Sequence, residues 1–146
     1  MNDEIDDGIA RLRGLRGFDG LPEDVLRRLV DSSTTRSYPQ GGVVFEKGES
    51  PNSVYIILSG RIRILDEGEE WPVTATLGPG DVLGEVGPLF EVQRTRGAEA
   101  DQPAELMVVP QHSFTALLDD APDFEQLVRE RMRAYLPTFV TPDDEH

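Results

Sequence analysis

Cysteine is absent from this chain of 146 residues, which removes disulfide cross-links and thiol chemistry and suits a reducing cytosol. Histidine is nearly absent: only His112 and His146 occur, and His146 is the last residue. Two such separated imidazoles cannot assemble the cluster of histidines and a carboxylate that a catalytic metal centre needs. No nucleophile elbow accompanies His112 for a serine hydrolase either. The chain is therefore expected to be no enzyme and to hold no metal or cofactor. Long apolar runs are also missing. The start Met1-Asn2-Asp3-Glu4 is acidic with no hydrophobic stretch behind it, so neither a secretion signal nor a membrane span is expected, and the reading is a soluble cytoplasmic protein. Positive charge is scarce: 14 basic residues stand against 28 acidic ones, for a net charge of -14. Binding a polyanion draws on many neutralised phosphates, which argues against a nucleic-acid partner, whereas a small anion needs only a local guanidinium.

What is present is patterned as helix, many strands, then helix, in one domain. Ile5, Ile9 and Leu12 recur at helical spacing. Val25, Leu26, Leu29 and Val30 repeat it behind Leu21-Pro22-Glu23-Asp24, where proline sits just inside a helix start and acids fill the first turn. Two short helices are expected over residues 5–31. Over residues 36–110 the segments become short and β-rich: Val43 to Glu46, Val54 to Leu58, Arg61 to Leu65, Trp71 to Leu77 and Leu106 to Val109. Gly41-Gly42, Ser59-Gly60, Gly68 and Gly78-Pro79-Gly80 separate them. Such spacing predicts a mainly β fold with flanking helices, a double-stranded β-helix or jelly roll. Val54 to Leu58, nearly all apolar, is expected to be buried, and Arg61-Ile62-Arg63-Ile64 alternates like a strand with one wet face. Trp71 reads as a packing residue. C-terminal helices are expected over 111–137, with Phe124, Val128, Met132 and Tyr135 as one stripe and Pro137 as the stop, followed by an acidic mobile tail over 138–146.

The run Gly84-Glu85-Val86-Gly87-Pro88-Leu89-Phe90, followed by Arg94-Thr95, places one carboxylate and one guanidinium in a small-residue loop. A guanidinium presents paired donors that match two phosphate oxygens, a glutamate accepts from ribose hydroxyls, and glycines let main-chain N–H groups approach an anion. The combination suits a sugar-phosphate. Taken alone, the same residues also suit a solvated turn: Glu85 can cap a helix, Arg94 can bridge to one of the acids, and Thr95 can be an ordinary strand residue.

The preceding stretch Leu77-Gly78-Pro79-Gly80-Asp81-Val82-Leu83-Gly84-Glu85 resembles the approach to the phosphate-binding cassette of the cyclic-nucleotide-binding domains, the family of bacterial catabolite activator proteins and kinase regulatory subunits. Gly41 to Glu49, Val54 to Gly60, Glu105 to Pro110 and Ser113-Phe114 are similar to that family too, and the resemblance covers residues 15 to 136. It implies a jelly roll with a C-terminal lid helix and a cyclic mononucleotide ligand, cAMP or cGMP. It also implies roles: Glu85 accepts the ribose 2'-hydroxyl, Arg94 pairs with the cyclic phosphate, Thr95 adds a phosphate or base contact, and main-chain N–H groups around Gly84 to Val86 complete the cradle. In the family, ligand moves the C-terminal helix, here residues 123–136, which a partner protein or second subunit reads. The chain is expected to be a stand-alone domain, since the residues after Pro137 are too few for the DNA-binding module common in bacterial relatives.

The sequence also departs from the family's pattern. Arg96 stands where relatives carry a small residue, and it reads either as a second phosphate ligand or as a plug that neutralises Glu85. Gln93 stands where proline is frequent. Gly97 is expected to weaken strand pairing, and Glu99 and Asp101 to bring negative charge close to the anion. These departures keep a second reading open, a ligand-free domain of the same fold that docks or dimerises through its amphipathic ends.

Overall fold

In the computed structural model, residues 3–45, 53–65, 73–84 and 97–133 are described. The apolar spacing near the start forms two helices, α1 (Asp3–Arg13) and α2 (Glu23–Ser32), with a 3₁₀ turn at Phe18–Gly20 between them. Their stripes Ile9, Leu12, Val25, Leu26 and Leu29 are buried, as is Leu15 in the connection after α1. Pro22 is the extended residue that caps α2, one place before its first turn, and Glu23 and Asp24 then meet the positive end of the helix. The two helices cross closely: a Cβ built on Gly8 would lie 2.7 Å from Val30 Cγ1.

Among the described residues six strands follow: β1 (Thr34–Tyr38), β2 (Val43–Phe45), β3 (Ser53–Leu65), β4 (Val73–Leu77), β5 (Val82–Gly84) and β6 (Gly97–Pro110). All pairings are antiparallel, and β3 and β6 pair along most of their lengths. Their outer partners change part-way: β6 pairs with β2 near its start and β1 near its end, while β3 pairs with β5 near its start and β4 near its end. Among the described residues two four-stranded layers result, β1-β6-β3-β5 and β2-β6-β3-β4, joined through the two long strands. This is the expected jelly roll.

Several boundaries differ from the sequence expectation. Val54 to Leu58 and Arg61 to Leu65 are one strand, because Gly60 bends the chain (φ 89°) without ending the pairing. The register slips on either side of it, as at a bulge. Only glycine fits there: an added Cβ would lie 2.3 Å from the Pro103 carbonyl oxygen and 2.6 Å from Ala104 Cα. The last strand is far longer than Leu106 to Val109, and Gly97 pairs with Leu65 instead of interrupting the sheet. β1 and β5 are strands that no β-rich run announced. Glu46 and Trp71 lie outside the described residues.

Beyond β6 come α3 (Gln111–Asp120) and α4 (Pro122–Arg133). Their joint is tight: Ala121 N–H donates to Leu117 O at 2.9 Å, and Glu125 N–H donates to Ala121 O at 3.0 Å. Phe114 and Phe124 meet edge to face with ring centres 5.2 Å apart. Phe124, Leu127 and Val128 are buried, so this part of the α4 stripe is committed to the chain's own core and does not form a docking face. Val43 is the one large apolar side chain exposed among the described residues, while Ile5 and Val30 on the N-terminal helices are only partly buried. Residues 134–137 and the tail over 138–146 lie outside the described residues. Among the described residues, no helix is long and apolar enough to cross a membrane.

Candidate functional site

The candidate site begins at a turn whose chemistry is local. Pro79 and Gly80 (φ 91°) occupy the central positions, and Asp81 N–H donates to Gly78 O at 3.0 Å, the pattern of a type II turn. The Asp81 carboxylate closes it again by accepting the Gly78 N–H at 2.8 Å. Gly80 N–H donates to Ile57 O at 2.9 Å and Ile57 N–H donates to Asp81 O at 3.0 Å, which seats the turn on β3. From there β5 runs in register, with Leu83 opposite Tyr55 and Gly84 opposite Val54. Gly84 therefore ends the frame at a fixed place immediately before Glu85.

The frame resumes at Gly97, opposite Leu65 at the other end of β3. The start of β6 is held from both sides. Ala98 lies opposite Phe45 and Ile64, while Ala100 donates to Gly42 O and accepts from Gly41 N–H, both at 2.8 Å. Ala98 and Ala100 are 1% and 0% exposed beside Ile62 and Ile64, so this is the core side of the strand, lined by small side chains.

The alternate positions carry charge. Arg63 donates to Glu99 at 3.0 Å and to Asp101 at 3.1 Å, and Arg61 lies 3.8 Å from Asp101. The two acids that sequence alone sets against an anion are thus paired with guanidinium groups on the neighbouring strand, on the side away from Ala98 and Ala100. Arg61 keeps the wet position expected of it, but Arg63 is a half-buried counter-ion. Its role was hidden because it depends on the register of β3 against β6, which no local spacing reveals.

Gly84 is the candidate residue that the described frame contains. Glu85, Val86, Arg94, Thr95 and Arg96 lie outside the described residues, as do Gln93 and the run from Gly87 to Phe90. On the C-terminal helix, Gln126 donates to Glu130 at 3.1 Å and Arg129 to Glu125 at 2.7 Å, so both side chains are engaged along their own helix. The side chains of Met132 and Arg133 are outside the described set, as is Tyr135. His112 is exposed on α3. Among the described residues, no cluster of three His, Cys, Asp or Glu side chains is arranged to hold a metal ion.

The profile of the cyclic nucleotide-binding domain matches residues 35–121, from β1 to the α3–α4 joint, and so includes both ends of this frame. The chain belongs to the cyclic nucleotide-binding domain family. Domains of this family are regulatory modules. This domain is 29% identical over 113 residues to the cyclic AMP receptor protein of Thermus thermophilus, covering 76% of the chain and 52% of that receptor. The chain thus spans about half the length of that relative. Among solved structures, it resembles a cyclic nucleotide-binding-like protein from Brucella abortus at 29% identity and a TM-score of 0.59, over 77% of this chain and 98% of the other. The regulatory subunit of a cAMP-independent protein kinase A from Trypanosoma cruzi, bound to guanosine, shares the fold at a TM-score of 0.73 and 19% identity, over 90% of this chain and 46% of that one.

Proposed function

We propose that this domain is a sensor of a cyclic mononucleotide, cAMP or cGMP, that signals through its C-terminal helix to a partner protein. The observation that carries the reading is the pair of anchors on β3: Val54 fixes Gly84 and Leu65 fixes Gly97, and the segment between them holds Glu85 and Arg94. In this proposal Glu85 takes the ribose hydroxyl and Arg94 the cyclic phosphate. Thr95 and Arg96 add contacts, and main-chain N–H groups from Gly84 to Val86 complete the cradle. The pairing of Glu99 and Asp101 with Arg63 and Arg61 supports the same reading, since it relieves the repulsion those acids bring. The chemistry is recognition, with no bond made or broken. Residues 1–137 act as one module in a cytoplasmic setting.

Calorimetric titration with cAMP, cGMP and guanosine tests this. Saturable heat is expected with a cyclic nucleotide and not with guanosine, which lacks the phosphate. Arg94→Ala leaves that phosphate without its partner and costs about 3–5 kcal/mol, more than about a hundredfold in affinity. No heat at millimolar cAMP or cGMP rejects the sensor.

A further inference from the structure

A concavity lies at the junction of the start of α1, the end of α2 and the start of β1. It encloses about 550 Å³, with Ile5, Val30 and Met107 as its apolar lining and the carboxylates of Glu4 and Asp31 among its polar groups. Both acids are exposed, and neither has a hydrogen-bond or ion-pair partner among the described residues. Neighbouring guanidinium groups are committed elsewhere: Arg11 to Glu105, Arg27 to Glu23 and Arg28 to Asp120. Asp31 also stands in the last turn of α2, where the helix carbonyls already concentrate negative charge. Asp31 is therefore held at an unfavourable helix end, whereas Glu4, in the first turn of α1, is favoured by its own, and together they put two unpaired carboxylates at a cleft of mixed polar and apolar lining.

Among the described residues, β1 beside this cleft pairs with β6 on one side only, and its residues Thr34 to Ser37 are exposed. No residue of β1 has a further hydrogen-bond partner among the described residues. Thr34 and Thr35 line the cleft as well, so edge and cleft are continuous. An open edge is a template for another strand.

We infer that β1 and the cleft at its start form one docking site for an extended basic segment of a partner protein. The segment's backbone pairs with the free edge of β1, and a lysine or arginine enters the cleft, its methylenes against Ile5, Val30 and Met107 and its charge between Glu4 and Asp31. Arg36, an exposed cation further along β1, sets the polarity of the segment: basic at the cleft, neutral or acidic opposite Arg36. A second copy of the chain is disfavoured as the occupant because each copy carries a net charge of -14. The inference does not depend on nucleotide binding.

The test is an NMR titration of the isotope-labelled full chain with the capped probe peptide Thr-Val-Thr-Lys-Thr-Val-Thr. Saturable shifts are expected in the amides of Thr34 to Tyr38 and around Glu4 and Asp31. The Glu4→Lys, Asp31→Lys double variant, altered only at exposed positions, weakens binding about tenfold or more. A peptide with glutamate in place of lysine, and one of unchanged charge with alternate backbone amides methylated, are expected not to bind. Equal binding of either control, or shifts that map elsewhere, overturns the inference. So do peptide-free shifts in β1 that grow with protein concentration, because they make a second copy the occupant.

Discussion

Arg63 pairs from another strand with both Glu99 and Asp101, two acids on one face of β6. Arg63→Ala removes both pairs at once. Because the groups are partly solvated, the stability loss is about 1 kcal/mol, a fall in Tm of about 3–5 °C by scanning calorimetry. The same variant is expected to weaken cyclic-nucleotide affinity, and Arg63→Lys to restore part of it, since Glu99 then has no counter-ion among the described residues and Asp101 keeps only Arg61 at 3.8 Å. At the turn, Asp81→Ala deletes the acceptor of the Gly78 N–H and costs about 1 kcal/mol by denaturant titration. These residues differ in how far sequence exposes them. Pro79 and Gly80 announce a type II turn because the dihedral preferences reside in the residues themselves. The partner of Glu99 is fixed only when β3 has found its register, and until then an acid near a proposed anion reads as an obstacle.

At the scale of elements, Gly8 is expected to matter more than helix propensity suggests. Alanine favours a helix over glycine, yet its Cβ would meet both methyl groups of Val30 at 2.7 and 3.0 Å, and valine has little rotamer freedom with which to yield. Gly8→Ala should therefore destabilise by about 1–3 kcal/mol in denaturant titration, and Val30→Ala in the same chain should recover part of that loss. Phe124→Ala opens a cavity against Phe114 and costs about 3–5 kcal/mol. The helices were legible because their stripes and starts are local: Pro22 with Glu23-Asp24, and Pro122 with Asp123. The first half of β6 was not. Gly97-Ala98-Glu99-Ala100-Asp101-Gln102-Pro103 has almost no β preference, and it becomes a strand because β2 and β3 hold it from both sides. The continuity of β3 was hidden for a related reason, as Gly60 is both a breaker by type and the only residue that tolerates the approach of Pro103.

For the whole molecule, a net charge of -14 acts on an anionic ligand before any contact forms. Screening shortens that repulsion, with a Debye length of about 30 Å at 0.01 M and about 8 Å at 0.15 M salt. The association rate of cyclic nucleotide, followed by stopped flow, is therefore expected to rise over this range, whereas steering by a basic surface would make it fall. The layered roll was visible in the alternation of short segments, while the sharing of β3 and β6 between layers was not, because it arises from pairing partners that change part-way along each strand. That sharing has a mechanical corollary. Val54 and Leu65 lie on opposite sides of the Gly60 bend in one strand, so the placement of Gly84 relative to Gly97 depends on a tightly packed glycine remote from both. If the proposed site is right, substitutions around that bend are expected to change nucleotide affinity with every proposed contact residue left in place.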